Sequence, residues 1–293
     1  MPRWRVVERR LGLLQGVLAY ALWGGVAAYW KLLAHVTPLE LLAQRALWGL
    51  AAFAVLVAIM QQTRAVRAAL ANLRTVATMT VTATLLAINW GTFVWATVNG
   101  HLLDASLGYF ITPLLSVALG TLVLRERLSK LQWTAITLAA LGVALLTWRV
   151  GRVPWVALLL AVSFAAYGLV RKTAKVDALV GSTVETLLMV PAAVGFLVLA
   201  PDTLGHDAMT NVLLAGTGII TAVPLVLFTS AARRLPLSTV GFLQYLAPTG
   251  QFLLAALAFG EPVPLDRLLA FGVIWAALAV FSVDLLRRAT ARA

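Results

Sequence analysis

The chain has 293 residues, of which 61% are apolar and 12% charged, and its mean hydropathy is +0.93. Soluble domains carry about a quarter charged residues, so this composition excludes an ordinary soluble enzyme, a disordered chain and, with no cysteine, a secreted disulfide scaffold. An all-α polytopic membrane protein remains, and its net charge of +12 has to be read loop by loop rather than as a sign of nucleic-acid binding.

A helix needs roughly 20 apolar residues to cross the hydrocarbon of a bilayer, where lipid cannot satisfy bare backbone groups. Ten such stretches are predicted. They are 11–33, 38–60, 75–98, 105–124 and 131–148, then 154–170, 178–200, 212–232, 237–259 and 268–285. The first follows Arg3, Arg5, Arg9 and Arg10 and is too long for the core of a cleaved signal peptide.

The connections test this count. With the N-terminus inside, the inside segments hold 18 Lys and Arg residues, among them Arg64, Arg67, Arg74, Arg125, Arg127, Lys130, Arg171, Lys172, Lys175, Arg233 and Arg234. The outside segments hold three, Arg149, Arg152 and Arg267, while Lys31 and Arg45 fall within spans. This alternation predicts ten spans with both termini cytoplasmic. The longest inside loop, 61–74, is too short for a domain, so function is expected within the bundle. The basic loops then face anionic lipid headgroups.

The two halves resemble one another. A shift of 135 residues sets Pro113 on Pro248, Glu126 on Glu261, Phe110 on Tyr245, Asn89 on Pro224 and Phe93 on Phe228. A shift of 144 sets Trp23-Gly24 on Tyr167-Gly168 and Lys31 on Lys175. Five spans per half is an odd number, so the second copy enters the membrane from the opposite side. The expectation is two inverted five-helix repeats, 1–149 and 150–293, an arrangement recurrent among secondary transporters. Glu126 and Glu261 are expected to cap tight helix–helix joints.

Asn89-Trp90, the run Asp104-Ala105-Ser106-Leu107-Gly108-Tyr109-Phe110 and Pro113 resemble the third and fourth helices of RarD-type permeases. Val223-Pro224-Leu225, Phe228-Thr229, Leu237-Ser238-Thr239-Val240-Gly241-Phe242, Gln244-Tyr245 and Pro248 extend the likeness into the second half. These permeases belong to the EamA branch of the drug/metabolite transporter superfamily, and the resemblance runs from residue 16 to 284. It implies ten helices in two EamA repeats and mostly outward movement of small organic solutes. RarD members are commonly labelled chloramphenicol-sensitivity permeases, and relatives in the superfamily export amino acids.

Polar groups at mid-depth are costly and tend to face a cavity or one another. Arg45 lies seven residues into its span, about 10 Å deep; it is expected either to bind an anionic group or to pair with Glu40 as a strut. Glu185, as deep from the other side, is a candidate coupling residue if it lies away from partners, or else a structural hydrogen-bonding group. Asn89, Trp90 and Phe93, with Tyr109, Phe110, Gln244 and Tyr245, offer aromatic faces and polar tips suited to an amphipathic solute. The same residues also suit helix packing. Trp90, Phe93 and Thr97 share one helix face. Pro113, Pro191, Pro224 and Pro248 lie within helices and are candidate kinks or gating points. Lys31 is expected to snorkel, and Asp284 to pair with Arg287 or Arg288.

The small-residue pairs Ala135/Ala139, Ala140/Ala144 and Gly272/Ala276 favour close helix contact within the bundle or in a homodimer. The sequence carries no Walker loop and no triad spacing, and its three histidines lie far apart, so no cofactor, metal or enzymatic role is expected. The function expected is export of small organic solutes by alternating access, driven by a gradient or the solute's own concentration difference. A non-transporting lipid-handling or regulatory protein is the alternative, and it predicts tightly packed central polar groups.

Overall fold

The computed structural model describes residues 3–99, 101–148, 154–200, 205–258, 260 and 265–290. Every regular element among them is helical: α1 (Arg3–Leu32), α2 (Pro38–Ile59), α3 (Thr63–Ala71), α4 (Leu73–Val98), α5 (Leu102–Leu122), α6 (Lys130–Trp148), α7 (Trp155–Thr173), α8 (Ala178–Leu199), α9 (Ala208–Arg234), α10 (Leu237–Gln244), α11 (Leu246–Leu253), a π-helical turn (Leu254–Ala258) and α12 (Leu265–Thr290). Arg149, Arg152 and Glu261 lie outside the described residues, as do the side chains of Thr97, Arg267 and Arg288.

Among the described residues, eight helical stretches are long and apolar enough to cross a membrane: Val7–Leu32, Pro38–Ile59, Leu73–Ala96, Asp104–Leu122, Trp155–Thr173, Ala178–Leu199, Ala208–Arg234 and Leu237–Ala258. The predicted spans at 131–148 and 268–285 are helical too, but their apolar stretches, Lys130–Leu145 and Leu268–Asp284, are shorter. The side chains of residues 146, 266, 267, 285 and 286, which bound those stretches, lie outside the described ones. The loop predicted at 61–74 contains α3, which sets Val66 and Ala69 against α8. Gln61, with φ of 53°, supplies the left-handed step that turns the chain from α2 into it.

Local chemistry sets the helix starts. Thr37 and Pro38 open α2, where the Thr37 hydroxyl accepts from the Glu40 amide at 3.4 Å. The side chains of Asn72, Asp177 and Asp207 accept backbone amides at the starts of α4, α8 and α9. Ser129 and Gln132 bond each other's amides at 2.9 and 3.0 Å ahead of α6, a capping box. Pro248 lacks an amide to bond back to Gln244, and the predicted span at 237–259 is broken at Tyr245 into α10 and α11. Pro113, Pro191 and Pro224 lie inside the continuous helices α5, α8 and α9.

The largest helix contacts join the part of the chain before residue 149 to the part after 154. They pair α5 with α7, α1 with α9 and α11, α6 with α12, α2 with α8 and α9, α10 with α5, and α4 with α7 and α8. Small residues permit the tightest crossings. A Cβ on Gly24 would stand 3.2 Å from the Gly250 Cα, and one on Gly218 would overlap the Trp48 carbonyl. Ala135 and Ala139 are buried beside Ile274 and Ala277 where α6 meets α12, whereas Ala140 and Ala144 are exposed and a Cβ on Gly272 would meet nothing.

Polar ties gather both ends of the bundle. At the basic end, where α1 starts, Arg234 bonds Glu8 at 2.8 Å, Arg233 lies 3.6 Å from Asp177, and Lys172 donates to the Ala232 and Leu235 carbonyls. At the opposite end, His206 lies 2.6 Å from Glu40, His35 is 3.0 Å from the Thr210 hydroxyl, and the Tyr29 hydroxyl donates to the Leu213 carbonyl at 2.5 Å.

Candidate functional site

Five helices deliver one cluster about two turns below the end opposite the basic one. Arg45 of α2 places its guanidinium over the Trp90 ring of α4 at 4.5 Å and the Trp30 ring of α1 at 5.2 Å. Its Nε donates to the Thr221 hydroxyl of α9 at 3.2 Å. Tyr109 of α5 lies within electrostatic reach of Arg45, and its ring meets Phe93 of α4 at 6.0 Å.

Backbone packing makes this possible. Gly218 lets α9 lie against the Trp48 carbonyl of α2, and a Cβ on Gly49, one turn beyond Arg45, would stand 3.9 Å from the Thr221 methyl. Arg45, Trp30, Trp90 and Phe93 are only partly buried, and Tyr109 is 38% exposed. These side chains therefore keep accessible surface. The strut to Glu40 is not formed, because Glu40 is buried and paired with His206. Lys31 is exposed at the end of α1 and Asp284 is buried near the end of α12.

Toward the basic end from Arg45, rings from α1, α7 and α9 fill the interior. Trp23, Phe164 and Phe228 lie 5.3–6.0 Å apart, and Tyr167 stacks on Phe228 at 5.8 Å. Tyr20 completes the group at 5.4 Å from Trp23. This aromatic plug, whose Tyr20, Tyr167 and Phe228 are buried, packs the interior on that side.

The other candidates are held by protein partners. Asn89 donates to the Leu160 carbonyl at 2.9 Å and the Ser163 hydroxyl at 3.0 Å, tying α4 to α7. Gln244 accepts from Ser116 at 3.3 Å, tying α10 to α5. Phe110 packs on Phe271 at 5.1 Å, and the Tyr245 hydroxyl donates to the Phe110 carbonyl at 3.2 Å. The structure thus joins Arg45, Trp90, Phe93 and Tyr109 in one site and leaves Asn89, Phe110, Gln244 and Tyr245 in helix contacts.

Glu185 is fully buried with partners. Arg171 Nε stands 3.4 Å from one carboxylate oxygen, and the Tyr167 hydroxyl donates to the other at 3.2 Å. Arg171 also reaches the Met79 sulfur and the Ala178 carbonyl. Sequence reasoning had placed Arg171 among loop charges because it opens the run Arg171, Lys172, Lys175; it missed Trp30 and Thr221 as well. Glu126 does cap a helix, but across the molecule: its carboxylate accepts the Leu237 amide at 2.6 Å and the Ser238 amide and hydroxyl at 2.9 and 2.7 Å, at the start of α10. Gly120 makes room, since a Cβ there would stand 2.8 Å from the carboxylate.

Membrane-length helices define the class, an integral membrane protein. Residues 10–148 match the model of the EamA-like transporter family. The chain is 42% identical to Protein RarD of Escherichia coli, over 94% of this chain and 95% of that one. It is 44% identical to an uncharacterized transporter of Vibrio cholerae, covering 94% and 93%, and 31% identical to the chloramphenicol-sensitive protein RarD of Pseudomonas aeruginosa, covering 93% and 94%. A solved structure described only as a crystal structure of a protein shares the fold, with a TM-score of 0.74 and 20% identity over 92% of this chain and 96% of that one. The chain belongs to the EamA-like transporter family and is a RarD-type permease.

Proposed function

We propose that the protein is a secondary transporter of the bacterial inner membrane that exports small organic solutes by alternating access. It comprises ten spans in two inverted five-helix repeats, 1–149 and 150–293, with both termini cytoplasmic. One observation carries this reading. When α1, α2, α4, α5 and α6 are exchanged for α7, α8, α9, α10–α11 and α12, the helix pairing returns to itself: α5 with α7 becomes α11 with α1, α4 with α7 becomes α9 with α1, and α2 with α9 becomes α8 with α4. The pairs α2 with α8, α5 with α10 and α6 with α12 map onto themselves. Two interchangeable halves can trade conformations, and the central pocket then changes the side to which it opens.

In this reading the aromatic plug closes the cytoplasmic side, and the pocket around Arg45, Trp90, Phe93 and Tyr109 opens outward. The solute is an amino-acid-like metabolite or a drug-like compound; the name of the Pseudomonas aeruginosa relative supports the latter. The hydrogen-bonded Asn89 and Gln244 and the ion-paired Glu185 are what a non-transporting protein would also contain. The open Arg45 pocket favours a wetted path. Glu185, tied to Arg171, is the candidate coupling residue, and Pro113, Pro191, Pro224 and Pro248 are the candidate points of flexure.

Reconstitution tests the proposal. Purified protein in proteoliposomes is expected to give saturable flux of a member of an amino-acid and drug panel, with Glu185→Gln insensitive to an imposed pH gradient. Flux absent or unsaturable across the whole panel overturns the transport reading. Saturable flux with an unchanged pH response in Glu185→Gln removes Glu185 from coupling.

A further inference from the structure

We infer that the Arg45 pocket is a receptor for the carboxylate of a small solute with an apolar or aromatic body, and that it selects such solutes over their neutral counterparts. The inference rests on the transport reading for its purpose, but its geometry stands alone. The two tryptophan rings lie against Arg45 through cation–π contacts, and Thr221 occupies Nε. Among the described residues, no carboxylate and no hydrogen-bond acceptor meets the two Nη groups, and neither nitrogen is buried.

A guanidinium binds a carboxylate through two parallel N–H donors, either side-on through Nε and one Nη or end-on through both Nη groups. With Nε taken, the end-on fork is left, already aimed. Holding the guanidinium through Nε and two ring contacts lowers the ordering cost that a free arginine would meet on binding. Among the described residues no carboxylate offsets this cation, and an incoming monoanion supplies the counter-charge.

The surroundings describe the rest of the solute. Phe93 and Tyr109 flank the pocket with rings, and the Tyr109 hydroxyl offers a polar contact. Apolar rings beside one cation suit a monocarboxylate with a flat or greasy body. A neutral amide of the same shape could use the rings but not the charged fork. Trp30 and Thr221, which touch Arg45 and not the fork, act as positioning residues.

The test is binding, measured by calorimetry on the purified full-length protein, with benzoate, phenylacetate, indole-3-acetate and phenylalanine, each against its own amide. At least one acid is expected to bind about tenfold or more tighter than its amide. Arg45→Gln should erase that preference, and Thr221→Val should narrow it. Equal affinity within every pair, or no binding by any acid, overturns the inference. Because the acid–amide comparison uses the unmodified protein, it decides the question even if Arg45→Gln does not fold. Flux separates this inference from the reading beneath it: saturable transport of neutral solutes with no acid preference sinks the receptor alone, whereas Arg45-dependent acid binding with no flux of any solute sinks the transporter alone.

Discussion

Removing the guanidinium of Arg171 would strand a carboxylate. Arg171 and Glu185 are both fully buried and meet at 3.4 Å, longer than a charge-assisted hydrogen bond, with Tyr167, Met79 and Ala178 completing the shell. Breaking one side of such a pair costs about 3–5 kcal/mol, whereas replacing both partners with apolar residues is often neutral. Arg171→Met should therefore lower the unfolding midpoint of the purified protein sharply, and Arg171→Met combined with Glu185→Leu should recover most of the loss. Additive effects in that pair would deny the coupling. Sequence alone marked Glu185 through its depth, but Arg171 was hidden by the lysines that follow it. Charge counting assigns a residue to a loop or a span, and cannot tell that a side chain at a helix end points back into the bundle. Thr221 and Trp30 were illegible for another reason: they matter only through Arg45, which lies 176 residues from Thr221 along the chain.

At the scale of the helices, the hydropathy pattern set out the main elements because each span is a long apolar run. It missed α3, whose two arginines made an amphipathic helix resemble a loop. The break at Tyr245 was foreshadowed by Pro248, yet three other internal prolines left their helices continuous, so proline alone did not identify the broken one. The start of α10 depends on a carboxylate from elsewhere. Glu126→Ala would leave the Leu237 and Ser238 amides without their acceptor, and hydrogen bonds to a charged group contribute about 1.5–3 kcal/mol. The expected outcome is a lower thermal midpoint with faster proteolysis near residue 236, partly rescued by Glu126→Gln. An unchanged midpoint would mean that water replaces the carboxylate without loss.

For the whole molecule, the ties at the basic end bear on how the halves move. Arg234 and Arg233 hold the end of α9 to the start of α1 and to the start of α8. If the basic side opens during the cycle, these contacts must part. The chain has no cysteine, so thiols can be placed without background. Glu8→Cys with Arg234→Cys, joined by a short reversible bis-thiosulfonate, should arrest flux in proteoliposomes, and reduction should restore it. Flux that continues through the cross-link would show that this end stays shut throughout the cycle. None of this closure was readable from the sequence, because the ties form between residues more than 200 positions apart in one case and across helix ends in the other.

The Glu126 cap also sets a timetable for biosynthesis. Its carboxylate leaves the ribosome 111 residues before the Leu237 amide it will accept. At about 5–20 residues per second, that is a wait on the order of ten seconds. During that interval Glu126, in the connection after α5, has no α10 amide to meet it, and headgroups or water must stand in. A bundle truncated before α10 would never end that wait, so quality-control proteases should recognise unfinished chains at this corner.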